Sequence, residues 1–194
     1  VAAIMAILES NEISHPKIEA LFTIDEETGM TGALGLQGGH LEADILLNLD
    51  TEDDDEISIG CAGGVDITST GSYDEEDTIS EGNSSFKIVV KGGSGGHSGM
   101  DIHKGIANAN KLLNRVLLEA IESVDIRVSS IRGGGLRNAI PREAEALIFI
   151  ANSDLDDLKK SVEATRSELL AEYKVTDPDL SISVNEAGFP SKAL

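Results

Sequence analysis

The chain has 194 residues, with 35 Asp and Glu against 15 Lys and Arg, and its net charge of −20 repels polyanions, which excludes nucleic acid and anionic membrane surfaces as partners. Hydrophobic residues make up 40% and Trp is absent, so the core must be aliphatic, and the single cysteine, Cys61, rules out an intrachain disulfide and fits a reducing compartment. No run of about 18 apolar residues is present to span a bilayer, and the chain opens on Val1 without a basic, hydrophobic leader.

Residues 1–9 (VAAIMAILE) place Val1, Ile4, Met5 and Leu8 three or four apart and predict a helix, which lacks a cap and reads as cut rather than begun. After the break at Ser14-His15-Pro16, the apolar run Ile18–Ile24 predicts a short buried strand that delivers Asp25, Glu26 and Glu27 together before Gly29. Residues 31–37 predict at most a turn or two of helix. A second strand, 44–49, ends at Asp50. If both strands lie parallel in one sheet, their carboxyl ends share the side where open α/β sheets bind ligands. Carboxylates there suit hard or borderline cations, or a general base beside them. The acidic run 52–56 predicts a solvated loop that deepens the negative potential near Asp50. Residues 57–59 and 65–70 predict further strands, and 71–83, polar and acidic, a linker between two domains.

From Ser84 the predicted elements are strand 86–91, a helix within 102–121, strand 124–131, strand 144–151, helix 155–173 capped by Ser153 or Asp154, and strand 180–184. This order, β-α-β-β-α-β, is that of a ferredoxin-like split βαβ module. The expected division is residues 1–80 and 81–194. Between the elements lie two loops of interest. Residues 92–99 (GGSGGHSG) are glycine-rich around His97 but lack the lysine pattern of a phosphate loop. Residues 133–141 (GGGLRNAIP) read by themselves as a long hairpin turn.

The runs F-T-I-D-E-E-T-G-M and L-L-N-L-D resemble the core of the M20 metallopeptidases, most closely their aminoacyl-histidine (Xaa-His) dipeptidases, and G-G-H-S-G resembles the lid loop of those enzymes. The resemblance covers nearly all of the chain but only the middle of a longer enzyme. It implies an α/β fold: part of a mixed-sheet catalytic domain followed by a ferredoxin-like lid. It also implies Glu26 as general base, Glu27 and Asp50 as metal ligands, His97 as the donor to the substrate carbonyl oxygen, and Asn138 as a contact to the substrate carboxylate or main chain. Two divalent metal ions are implied in the full enzyme, zinc first and cobalt or manganese as alternatives. So are a dipeptide substrate, a homodimer formed through the lid, and a cytoplasmic setting.

The alternatives are an aminoacylase or general exopeptidase of the same superfamily, or a lid acting only as a dimerisation module. With two of the family's usual five metal ligands, the chain alone is expected neither to hold a metal pair tightly nor to hydrolyse dipeptides. Arg132 and Arg137 are candidates to pair with a substrate carboxylate. His15, His40 and His103 lack a ligand-like spacing and are set aside. In an extended backbone Asp25 and Glu27 would face together and Glu26 away, so the implied roles require a turn between the two glutamates, one residue before Thr28-Gly29 supplies one.

Overall fold

A computed structural model describes residues 1–50, 55–60, 63, 65 and 67–194. Glu52, Asp53, Asp54 and Cys61 lie outside the described residues. The chain divides into two units, Val1–Asp66 and Ile67–Leu194.

In the first unit, helix α1 (Ala2–Glu9) and the single turn α2 (Thr31–Leu34) form where the sequence predicts them. The strands expected at 18–24, 44–49, 57–59 and 65–70 do not form among the described residues. A strand is made by its neighbours, and these apolar runs have none: Ile45, Leu46 and Leu47 are 78%, 79% and 79% exposed. No described residue of this unit is fully buried. Two segments are tied by polar contacts, with Lys17 Nζ on Glu42 at 2.6 Å and the Glu42 N–H donating to Glu19 at 2.8 Å.

The second unit carries its own core. Its elements are β1 (Glu76–Asp77), β2 (Asn83–Lys91), β3 (Gly96–His97), α3 (Ala109–Ile121), β4 (Arg127–Gly133), β5 (Ala139–Ile140), β6 (Ala144–Ala151), α4 (Leu155–Tyr173), β7 (Ser181–Glu186) and β8 (Lys192–Ala193). Strands β4, β6, β2 and β7 form one sheet in that order, each antiparallel to its neighbour. With the two helices as crossovers, this is the ferredoxin-like arrangement that the element order predicts.

Alternation in β2 and β6 decides which face is covered. Phe86, Ile88 and Val90, with Ala144, Ala146, Ile148 and Ile150, turn inward and meet Leu112, Leu113 and Val116 of α3 and Leu158, Val162 and Leu169 of α4. On the opposite face Lys87 pairs with Glu145 at 3.2 Å. The bounds of β6 and α4 match the sequence reading residue for residue, because each has one clean periodicity.

Helix α3 starts later than predicted. Gly105 takes a left-handed conformation (φ 67°) after a single tight turn at Ile102–Lys104, and Asn108 then caps the helix by accepting from the Lys111 N–H at 3.2 Å. The segment expected as a bare linker carries β1, which pairs with β8. Arg127 on Glu76 (2.7 Å) and Lys192 on Asp77 (2.7 Å) hold that ribbon in place. The Leu194 N–H donates to the Val128 carbonyl at 2.8 Å, so the tail covers the free side of β4, and Phe189 tilts against Phe149 at 5.4 Å. Among the described residues, β7 is the sheet edge left uncovered.

Candidate active site

The glycine-rich loop and the 133–141 loop, distant in sequence, meet in the second unit as a small antiparallel ribbon. Gly96 faces Ile140 and His97 faces Ala139. The ribbon continues on both sides, with the Gly93 N–H donating to the Arg142 carbonyl at 3.1 Å and the Ser98 N–H to the Asn138 carbonyl at 2.8 Å. The structure thereby brings two of the predicted residues, His97 and Asn138, side by side.

The orientation of His97 follows from its own turn. Its Nδ1 accepts from the N–H groups of Gly99 (3.0 Å) and Met100 (3.1 Å). An acceptor carries no proton, so the neutral ring holds its hydrogen on Nε2 and presents that donor outward from an exposed side chain. A fixed N–H donor is what a developing oxyanion requires. Asp101 closes the turn: its Oδ2 accepts from the His97 N–H at 2.7 Å, and its Oδ1 pairs with Lys104 at 2.6 Å. The Lys104 ammonium, and then the His97 N–H, hold the Asp101 carboxyl below the usual carboxylate range.

Sequence reasoning missed Asp177, which is only 1% exposed. Its two oxygens accept from the Ser94 N–H (2.7 Å) and the Ala107 N–H (2.9 Å), joining the glycine-rich loop to the entry of α3. Burial, the largest single influence, pushes this carboxyl up, but the Ser94 and Ala107 N–H groups together with the side chains of Thr176 and Ser94 bring it below the usual carboxylate range. A carboxyl depressed in the folded state contributes stability above its unfolded value of about 3.9, and that stability is lost as pH falls through the folded value. Urea midpoints between pH 7 and pH 3 should therefore fall more steeply for the native chain than for Asp177→Asn. Parallel curves would remove Asp177 from the acid response. The available signal in the sequence was a lone Asp before Pro178 just past a helix, which reads as an ordinary turn.

In the first unit Asp25, rather than either glutamate, makes the turn. It adopts φ 62°, and its carbonyl accepts from the Gly29 N–H at 3.2 Å. Its carboxylate accepts from the hydroxyls of Thr28 and Thr31, which hold its carboxyl below the ordinary value. Glu26 and Glu27 ride on this turn, exposed and with no hydrogen bond or ion pair to a described residue. The turn spans residues 26–29 and so includes both glutamates. Asp50 is exposed in irregular backbone.

Glu27 and Asp50 are of the right donor type for a divalent cation. Among the described residues, however, no group of three His, Cys, Asp or Glu could hold a metal ion, so these residues do not complete a centre. Arg132 lines a cavity of ≈ 320 Å³ with Val89, Gly133, Glu143 and Glu145. Arg137 precedes Asn138 in the second loop. His103 is exposed in the tight turn at 102–104, and His15 bonds the Pro16 carbonyl at 2.7 Å. No helix among the described residues is long and apolar enough to cross a membrane.

Comparison with known proteins places these features. Over its full length the chain is 44% identical to the cytosol non-specific dipeptidase of Escherichia coli (strain K12), of which it covers 40%. It superposes on the crystal structure of aminoacylhistidine dipeptidase from Vibrio alginolyticus with a TM-score of 0.75 and 37% identity, covering 99% of this chain and 39% of that one. Residues 79–177, which hold β2 to β6, both helices, His97 and Asn138, match the M20 peptidase dimerisation domain. The chain belongs to the M20 peptidase family.

Proposed function

We propose that this chain is the middle part of a longer, cytoplasmic M20 metallopeptidase that hydrolyses dipeptides, Xaa-His dipeptides among them. The observation that carries the reading is the 44% identity to the cytosol non-specific dipeptidase across the whole chain. Because the chain spans 40% of that relative, the activity belongs to the longer protein. Residues 1–80 are its share of the catalytic domain and 81–194 the lid. The exposed apolar runs at 18–24 and 44–49 then pack against parts of the catalytic domain that the chain does not cover.

In this reading Glu26 takes a proton from the attacking water and passes it to the leaving amine. Glu27 and Asp50 are this chain's contribution to a two-metal centre, with zinc the first choice and cobalt or manganese the alternatives. His97 donates from Nε2 to the carbonyl oxygen as charge develops there. Asn138, its neighbour in the ribbon, holds the substrate's carboxylate or main chain. The test is an assay of the longer protein on Xaa-His dipeptides against N-acyl amino acids. Faster turnover of the acyl substrates would replace this reading with an aminoacylase.

The dimer is proposed to form along β7 and α4. This edge is uncovered, and beside it runs a groove of ≈ 510 Å³ lined by Lys159, Val162, Glu163, Arg166, Ile182 and Val184. Two copies related by a twofold axis can add strand to strand there and set Lys159 of one against Glu163 of the other, beside Arg166, which pairs with Glu163 of its own helix at 2.8 Å. Light scattering should give twice the chain mass for the native sequence and a monomer for the double variant Lys159→Glu/Arg166→Glu. A double variant that stays dimeric would move the interface elsewhere.

A further inference from the structure

We infer that Asp101 and Asp177 are positioning residues for His97, two carboxylates that clamp the two ends of the glycine-rich loop and so decide where its imidazole points. The inference rests on the proposed role of His97 as the donor to the substrate oxygen.

At the start of the loop, the buried Asp177 takes the Ser94 N–H, and the Ser94 hydroxyl donates to the Thr176 carbonyl at 2.7 Å. Residue 94 is thus held twice by the segment that follows α4. At the far end, Asp101 and His97 are joined reciprocally. The His97 N–H donates to the Asp101 carboxylate at 2.7 Å, and the Asp101 N–H donates to the His97 carbonyl at 3.0 Å. That pair closes the turn 97–101, the same turn whose Gly99 and Met100 N–H groups point at Nδ1. Lys104, 2.6 Å from the other Asp101 oxygen, keeps the carboxylate in place.

Between the clamps the glycines leave room for what holds the loop. A side chain on Gly96 would stand 2.7 Å from the Asp101 carboxylate, and one on Gly95 would run into the stem of Arg142. One on Gly99 would come within 3.3 Å of the imidazole ring. The glycine-rich sequence, which by itself suggests a supple lid, therefore builds a loop packed against its own anchors. Loss of the Asp101 link frees the turn, and with it both amides that select the Nε2–H form of His97.

The chain has four histidines, so long-range ¹H–¹⁵N spectra of the ring nitrogens can be assigned by the signal that disappears in His97→Gln. The native chain should show His97 in the Nε2–H form. Asp101→Ala and Asp177→Asn should shift it toward a mixture of tautomers. In the longer protein the same variants should lower kcat by up to about 100-fold, as a small misplacement of a catalytic donor does, with KM nearly unchanged.

Asp101→Ala removes the acceptor on a half-exposed turn and carries the test alone if Asp177→Asn fails to fold. If His97→Gln itself leaves kcat unchanged, the proposed role of His97 falls. If His97→Gln abolishes turnover but Asp101→Ala and Asp177→Asn keep both the tautomer and kcat, the positioning inference is overturned while that role stands.

Discussion

Glu26→Gln in the longer protein should lower kcat for dipeptide hydrolysis by about 10²–10⁴-fold, the contribution of a positioned general base. Glutamine keeps the volume and the polarity of the side chain but cannot take a proton from water. In the structure Glu26 has no described partner and stands beside the tight turn at Asp25, so its replacement removes no internal contact. KM and metal content should therefore stay near the native values. Glu27→Gln should behave differently: as a proposed ligand, its loss should appear first as fewer metal ions per chain in elemental analysis after dialysis. If Glu26→Gln lost metal while Glu27→Gln kept it, the two roles would have to be exchanged. Turnover by Glu26→Gln at the native rate would remove it from the chemistry.

Gly92→Ala should cause a large loss of stability in the second unit. Gly92 has φ 84°, and a β-carbon placed there would overlap the carbonyl of Asp179, with the Cα of Leu180 at 3.4 Å. The left-handed backbone alone costs an L-residue about 1–2 kcal/mol, and forcing atoms into a filled site adds about 1–3 kcal/mol. The neighbour that must move is backbone, and it is pinned: Leu180 is buried at 7% exposure, and its N–H donates to the Asp177 carbonyl at 3.0 Å. A total near 2–5 kcal/mol is expected from urea denaturation, with an unchanged slope.

Gly82 supplies the control. It also has a positive φ, 78°, but a β-carbon there would meet nothing within 4 Å, so Gly82→Ala should cost only the conformational part. Equal losses at the two positions would mean that the approach of Asp179 to the loop contributes nothing.

Asp101 and Asp177 explain why the loop could be recognised in the sequence but its behaviour could not. The pattern G-G-H-S-G marks a place where backbone conformation is special. Whether that makes it mobile or tightly packed depends on what occupies the space the side chains leave empty. Those occupants, Arg142, Asp101 and Asp179, come from other segments or from the next turn. In the same way, the turn at Glu26 and Glu27 depends on Asp25 taking a left-handed conformation supported by Thr28 and Thr31. Three adjacent acids do not announce that among themselves.

The sequence by itself determined the order and type of the four main-sheet strands and the two long helices of the second unit, but not the short ribbons β1–β8 and β3–β5. Strand β6 and helix α4 each carry a single periodicity, and the choice between a period of 2 and one of 3.6 is local. It also determined which residue types could do chemistry, since carboxylates before a glycine break and a histidine among glycines are visible without a fold. Only the tertiary structure decided that β4, β6, β2 and β7 lie in that order, that His97 and Asn138 share one ribbon, and that Asp177 is the buried anchor of the loop. It also left the apolar runs of the first unit without strand partners among the described residues. The physical reason is the same in each case. Periodicity records the environment of one segment, whereas strand pairing, burial of a charge and the filling of space beside a glycine are made by two segments at once.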